Sequence, residues 1–336
     1  MPNPTQSDLH VNVPLTNVSV AYIPKQSDYI ATDIFPKVPV QKQSDIFWKY
    51  SKSDWRRTDV VRRAPGTESA GVNWNLTTDT YYAEVFAVHK DIDDQVRANA
   101  DSNFNLESDA TKFITNQLLL KRELDFVGTH LASTSGWATT YTGVASGENN
   151  TSSFRQWNDV ASDPLGDIAR WVINFRQLTG YAPNTLVLGP YVMNALKNHP
   201  DLIDRIKYTQ RGIVTEDLVQ SLTGIAKVKV MWATQTAVAQ INDTVTQDQL
   251  ATYAFISDSA GKSAWLGYSA PGPSLMEPTA GYTFTWNGYL AGNSEGIRIK
   301  SFRMEHLASD RIEGEMTYAL KQVASDMGVY IASPIA

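Results

Sequence analysis

The side chains able to perform acid–base or metal chemistry are few and scattered in this sequence. The five histidines are His10, His89, His130, His199 and His306, and no two of them have the spacing of a metal-binding pair. The chain has no cysteine, which excludes disulfides, thiolate nucleophiles and zinc–thiolate sites. Its glycines form neither a phosphate-binding loop nor a nucleophile elbow. The sequence therefore predicts no catalytic residue, no metal site and no cofactor.

Three carboxylates, Asp91, Asp93 and Asp94, lie close enough in sequence to suggest a cation site. They lack the central glycine and the distal glutamate of a calcium-binding loop. Acidic residues are also favoured at the start of a helix, because the first backbone amides carry partial positive charge there. We therefore favour the interpretation of residues 91–100 as a short helix that begins with acidic residues.

A second cluster combines basic and aromatic side chains within residues 45–90. Its basic members are Lys49, Lys52, Arg56, Arg57, Arg62 and Arg63, and its aromatic members are Trp48, Tyr50 and Trp55. Such a mixture is typical of surfaces that bind single-stranded nucleic acid. However, Asp54, Asp59 and Glu68 lie among the basic residues, and the net charge of −6 argues against an obligate nucleic-acid binder. We therefore favour ion pairing between subunits. The candidate inter-subunit contacts are Trp55, Arg56, Arg57, Arg62, Arg63 and Glu68.

The segment that carries this cluster is predicted to form two long strands around a tip. Pro65 and Gly66 are a strong turn signal, and Val72, Trp74 and Leu76 alternate with polar residues at strand period. A projecting hairpin of this length is marginally stable alone and needs a surface on which to pack. The alternative is an ordinary hairpin within a globular sheet.

The longest helical pattern covers residues 105–132, which contain no proline. Apolar residues at three-and-four spacing predict one buried face, made of Phe113, Leu120, Leu124, Val127 and Leu131. At 1.5 Å per residue this helix would be roughly 40 Å long, enough to span a domain.

The segments on either side of this helix differ in kind. Residues 1–44 carry six prolines together with many apolar residues, which favours an extended arm lying on its own chain or on a neighbour. Residues 133–158 are rich in Gly, Ser, Thr and Asn and are expected to form a loop or a loose hairpin. From Asp163 helices and strands alternate: Pro164 is predicted to begin a helix that Gly180 ends, and 185–188 to form a short buried strand. Strands such as 253–256 dominate toward the C-terminal end. The predicted class is α+β.

The composition is that of a folded protein with extensive protein contacts. The 336 residues are 42% hydrophobic and 19% charged, and this modest charge suggests that much of the surface meets other protein. The first residues lack the pattern of a signal peptide, and no apolar run has the length of a membrane span. We therefore expect no contact with a membrane.

Residues 188–208, LGPYVMNALKNHPDLIDRIKY, with the following TEDLVQSLTGI and KVKVMW, resemble the major capsid proteins of tailed bacteriophages. The order of elements is similar over essentially the whole chain. The resemblance implies the Hong Kong 97 type capsid fold. It divides the chain into an N-terminal arm, 1–44; an E-loop hairpin, 45–90; a peripheral domain with a spine helix at 105–132, 91–180; an axial domain, 181–296; and returning peripheral strands with the C-terminal segment, 297–336.

The resemblance also implies a function and partners. Copies of the chain would form the hexamers and pentamers of an icosahedral shell around double-stranded DNA, without reading its sequence. The shell would assemble in the host cytoplasm and become the virion capsid. A separate scaffolding protein, a portal and a cement protein are the further partners expected. Some relatives form a Lys–Asn isopeptide bond, but Lys49 and Lys52 lie on the hairpin limb and arginines occupy the tip, so we predict no covalent crosslinks.

Two alternatives stay open at the level of sequence. An encapsulin-like compartment would have the same fold, but its first region is expected to begin with a helix, which the proline-rich arm opposes. An enzyme or a carbohydrate-binding protein would use the 9 tryptophans and 15 tyrosines, which are equally expected at protein interfaces.

Overall fold

The computed structural model describes residues 29–100, 105–132, 135–146, 152–206, 215–236, 251–253, 262–273, 277–290 and 296–336. Most of the predicted arm, residues 1–28, lies outside these ranges, as does most of the predicted strand at 253–256.

The described helices are numbered in chain order. They are α1 Ala31–Ile34, α2 Lys52–Arg56, α3 Asp94–Asn99, α4 Leu106–His130, α5 Pro164–Thr179, α6 Pro190–Lys197, α7 Pro200–Ile206, α8 Glu216–Thr223 and α9 Asn287–Leu290. Short 3-10 helices lie at Glu305–Leu307 and Ser325–Met327.

The described strands are β1 Lys37–Val40, β2 Ser44–Tyr50, β3 Leu76–Tyr82, β4 Glu84–Asp93, β5 Thr139–Val144, β6 Ser153–Arg155, β7 Thr185–Leu188, β8 Lys227–Val230, β9 Thr234–Thr236, β10 Ala251–Tyr253, β11 Ala264–Gly267, β12 Gly281–Trp286, β13 Ile297–Met304, β14 Ser309–Gln322 and β15 Gly328–Ala332.

Two larger sheets organise the described part of the chain. In one, β14 pairs with β4 and β13 along its first part and with β12 near its end, and β1 adds in parallel to β12. The other has the order β6-β5-β15-β11-β7-β8. Two-stranded pairings join β2 to β3 and β9 to β10. Because β14 and β15 follow each other directly, the C-terminal segment contributes a strand to both larger sheets.

The helix α4 occupies most of the range predicted from its spacing and packs against β14 and β4. Asn105 caps its first turn by accepting a hydrogen bond from the backbone N–H of Ser108 at 3.1 Å. The helix approaches the sheet closely at Gly314, where a Cβ atom would lie 2.3 Å from Cγ2 of Ile114. Only glycine therefore permits this separation between helix and strand.

The buried face of α4 differs from the predicted face. Phe113 is exposed, while Leu120 and Leu124 are half-buried. Val127 and Leu131 are buried as predicted. The residues of the helix that form the buried face are Ala110, Ile114, Leu118, Leu119, Arg122, Glu123, Phe126, Val127 and His130. The prediction assumed an apolar face, whereas three ionisable side chains lie within the real one.

Three other local predictions are wrong. Residues 91–93 are the last residues of the strand β4, because they pair with β14. The helix α3 therefore begins only at Asp94. In the hairpin, the strand pairing ends at Tyr50 and Leu76, and the helix α2 follows directly. Val72 and Trp74 therefore lie outside any strand. In the range 133–158, β5 pairs in parallel with β6, so its described part is no hairpin.

Candidate assembly interface

The hairpin of β2 and β3 is fixed to the rest of the subunit at its base. Tyr81 of β3 stacks on Phe284 of β12 with the ring centroids 4.4 Å apart. The carboxylate of Asp79 in β3 forms ion pairs with Lys49 of β2 at 2.6 Å and with Lys321 of β14 at 3.1 Å. Although burial opposes the change, these two ammonium groups lower the pKa of Asp79 to about 2. The base is thus held by both apolar and ionic contacts.

The helix α2 provides a second attachment further out. Lys52 pairs with Asp326 at 2.6 Å. The Arg56 guanidinium donates to the backbone carbonyls of Gln177 at 2.7 Å and Leu178 at 2.5 Å, in the last turn of α5. The last four carbonyls of a helix have no partner within the helix, and that end carries partial negative charge. Arg56 therefore satisfies two of these carbonyls with a favourable charge.

An open groove of about 1040 Å³ lies between the hairpin and the body. Trp48 and Trp55 line its hairpin side, and Tyr181, Tyr282 and Phe284 are among the aromatic residues opposite. Trp55 is 60% exposed although Tyr50 packs edge-on against it with centroids 6.3 Å apart. The attachment of the outer hairpin thus depends on the polar contacts of α2 more than on close packing.

Beyond α2 the chain forms a projecting arm, residues 57–75. Every residue of this arm is exposed, including Val60 at 87% and Trp74 at 64%. Its described hydrogen bonds and ion pairs join it only to residues 51–75. Apolar side chains this exposed in a segment without a packing surface are typical of a site for another protein.

The structure separates the six predicted contact residues into two groups. Trp55 and Arg56 belong to α2, and Arg56 contacts its own subunit. The others lie in the projecting arm: Arg57, Arg62, Arg63 and Glu68. Arg57 pairs with Asp54 at 3.6 Å and Asp59 at 3.1 Å within the hairpin. The inter-subunit role of all six stays a prediction.

Two of the three carboxylates considered for a cation, Asp91 and Asp94, are engaged with arginines. Asp91 accepts two hydrogen bonds from Arg311 at 2.7 and 2.8 Å, and Asp94 accepts two from Arg303 at 2.7 and 2.5 Å. These guanidinium groups lower the pKa of both carboxyls, while burial opposes the change. In the ranges that the structure describes, no group of three ligating side chains could hold a metal ion.

One Ser–His contact could be mistaken for a catalytic pair. Ser162 Oγ lies 3.1 Å from Nε2 of the buried His199. The backbone N–H of Asp201 donates to Nδ1 of the same ring at 3.2 Å, which places the ring proton on Nε2. His199 therefore donates toward Ser162 and the carbonyl of Asp159, and cannot accept the serine proton. These hydrogen bonds hold the loop at residues 159–162 against the start of α7.

Two residues that hold segments of the subunit together were not predicted from the sequence. Glu123 accepts from the backbone N–H groups of Ile30 and Ala31, and its position four residues from both Leu119 and Val127 was an available signal. Asp326, the partner of Lys52, had no signal, because the two lie 274 residues apart.

Solved structures define the class of fold. The chain is similar to a phage-related protein of Bordetella bronchiseptica RB50, with a TM-score of 0.66 at 19% identity over 93% of this chain and 94% of that one. It is also similar to the capsid structure of the cyanophage P-SCSP1u, with a TM-score of 0.61 at 15% identity over 94% and 90% of the two chains. The protein has the α+β Hong Kong 97 type capsid fold, as predicted.

Comparison with known sequences shows which proteins of this fold the chain is similar to. The chain is 28% identical over 220 residues to the major capsid protein of Burkholderia phage BcepMu, and 29% identical over 222 residues to that of Pseudomonas phage JBD67. Each alignment covers 64% of this chain, and respectively 67% and 66% of the relatives. No family model matches the chain. These relatives confirm the resemblance to tailed-phage major capsid proteins and do not favour the encapsulin-like alternative.

Proposed function

We propose that this chain is the major capsid protein of a tailed phage, and that its copies form the hexamers and pentamers of an icosahedral shell. The observation that carries this proposal is the exposed arm 57–75 on a subunit with a capsid fold. Among the described residues nothing covers Val60 and Trp74 of this arm, and contact with another protein would give them a packing surface. A neighbouring copy supplies that surface in a closed shell.

The division of the chain follows from the same proposal. Residues 1–44 serve as the N-terminal arm, 45–90 as the E-loop, which includes the projecting arm, 91–180 as the peripheral domain and 181–296 as the axial domain. The last segment, 297–336, returns to the peripheral domain. Two contacts support this return of the last segment: β14 packs against the helix α4, and β15 pairs in parallel with β5, both within residues 91–180.

The proposed role is structural and non-catalytic. The shell encloses double-stranded DNA without base-specific contacts, which fits a net charge of −6. Scaffolding, portal and cement proteins are the proposed partners, and assembly takes place in the host cytoplasm before the shell becomes the virion capsid. In the ranges that the structure describes, no helix is both long and apolar enough to cross a membrane.

Electron microscopy of the purified protein tests this proposal. We expect closed icosahedral particles when the chain is produced with its scaffolding partner, and nuclease-resistant DNA in particles isolated from a productive infection. A protein that stays monomeric at 37.2 kDa under both conditions would contradict a shell-forming role. Particles filled with a cargo enzyme and free of DNA would favour the compartment alternative.

A further inference from the structure

We propose that α2 latches the base of the projecting arm onto its own subunit, and that this latch sets the direction in which the arm leaves. The latch consists of Lys52 with Asp326, and of Arg56 with the last turn of α5. The proposal rests on the proposed shell function for its purpose, while the contacts themselves belong to the single subunit. It assigns Arg56 to positioning within a subunit, and leaves contact with neighbours to residues 57–75.

The placement of the latch supports this role. Lys52 and Arg56 are four residues apart, so they lie on one face of α2 and reach the body side by side. The chain is strand-paired just before α2 and exposed at every residue just after it, up to residue 75. The helix is therefore the last described point of attachment before the arm projects.

The chemistry of the receiving surface supports it as well. The Arg56 fork bonds to two successive carbonyls, those of Gln177 and Leu178, and such paired donation fixes orientation as well as distance. Gly180, with φ of 84°, ends α5 and donates its N–H to the carbonyl of Arg176. The helix end therefore leaves the next two carbonyls available to an outside donor.

The open groove explains why polar contacts are needed. A groove of about 1040 Å³ separates the outer hairpin from the body, so apolar packing alone leaves the angle of the hairpin poorly defined. Two cations anchored across the rim of this groove restrict that angle. Loss of both contacts should raise the open population of α2 by about tenfold, given the usual strength of exposed ion pairs and helix-end charges.

Cross-linking decides whether the latch forms within one subunit. Because the chain has no cysteine, Lys52→Cys with Asp326→Cys creates one defined pair in the full-length protein. A short thiol-reactive cross-linker should join this pair within single chains, both in free subunits and in shells. On a denaturing gel the product stays at monomer mass with altered mobility. Arg62→Cys with Asp326→Cys is the matched control and should not link within a chain.

Particles assembled from two different single variants test whether α2 instead contacts a neighbouring copy. When Lys52→Cys and Asp326→Cys are carried by separate copies, no cross-link is expected. Dimers in the mixed particles, or ladders of linked subunits in particles of the double variant, would show that α2 docks on a neighbour and would overturn the proposal. Absence of any intrachain product in free subunits would overturn it equally. Failure to form shells at all would count against the proposed function and leave the free-subunit result readable.

The positioning role has its own readout. Lys52→Ala with Arg56→Ala should raise hydrogen exchange at residues 51–56 by about tenfold and produce malformed or open shells. The unfolding midpoint of the subunit should change little, since the contacts are exposed. Arg62→Ala with Arg63→Ala removes the same charge from the tip and should leave exchange at 51–56 unchanged. Regular shells and unchanged exchange in the α2 variant would refute the role.

Discussion

Glu123 is a buried carboxyl that ties the spine helix α4 to the short helix α1, and Glu123→Gln removes its charge while keeping its shape. Its two oxygens accept hydrogen bonds from the backbone N–H groups of Ile30 and Ala31 at 2.8 and 3.0 Å. Burial raises the pKa of Glu123 to about 7, although these two donors and the adjacent Arg122 oppose the shift. The charge of Asp33 adds to the increase.

The raised pKa gives the contribution of Glu123 a definite dependence on pH. In the unfolded chain the carboxyl loses its proton near its ordinary pKa of 4.5, whereas the folded protein keeps the proton up to about pH 7. Between these values the folded state binds more protons, so the free energy of unfolding decreases as the pH rises. The complete difference corresponds to about 3 kcal/mol. Glutamine has no charge to bury, so the variant should gain up to about 3 kcal/mol relative to wild type from about pH 5 to about pH 8.

The measurement must separate Glu123 from His130, which acts in the opposite direction. Burial lowers the pKa of His130 to about 4, so stability is lost as the pH falls below the ordinary pKa of 6.5. This effect cancels in the difference between variant and wild type at each pH. Urea unfolding of the unassembled subunit, followed through buried tryptophans such as Trp171 and Trp265, gives that difference. Glu107→Gln, an exposed site on the same helix, is the control.

Two results would refute this reasoning. If the free energy of unfolding of Glu123→Gln differs from that of wild type by the same amount at about pH 5 and about pH 8, the carboxyl titrates near its ordinary pKa. A variant that loses stability relative to wild type as the pH rises would mean that the hydrogen bonds from Ile30 and Ala31 outweigh the cost of burying the charge.

Three further substitutions test the packing and the arm. Gly314→Ala places a Cβ atom against Ile114 and should cost about 1–3 kcal/mol in urea unfolding, whereas a neutral result would contradict the close approach of α4 to β14. Leu120→Pro interrupts α4 and should cost about 3 kcal/mol or more and abolish particles, as seen by electron microscopy, so normal particles would refute the role of this helix. Trp74→Ser should change subunit stability by less than about 0.5 kcal/mol yet reduce particle yield, and an unchanged yield would argue against an interface at the arm.

The sequence by itself determined the elements whose signals are local. The helix α5 begins at Pro164 and ends before Gly180, as its first-turn proline and the terminal glycine predict, because capping and backbone conformation depend only on neighbouring residues. The buried strand 185–188 and the long helix within 105–132 follow from composition and period in the same way. The capsid fold was implied by the resemblance of residues 188–208 and the segments after them to tailed-phage capsid proteins, with which the order of elements agrees.

The tertiary structure alone decided which surfaces meet. Phe113 and Leu120 have the spacing of a buried face, yet the sheet selects a face that contains Glu123, because α1 brings two backbone N–H groups to that carboxyl. Lys52 and Asp326 are 274 residues apart, so no local pattern links them. Charged contacts of this kind depend on the tertiary fold that brings distant segments together. For that reason the sequence indicated a projecting hairpin, and only the fold revealed how its base is held.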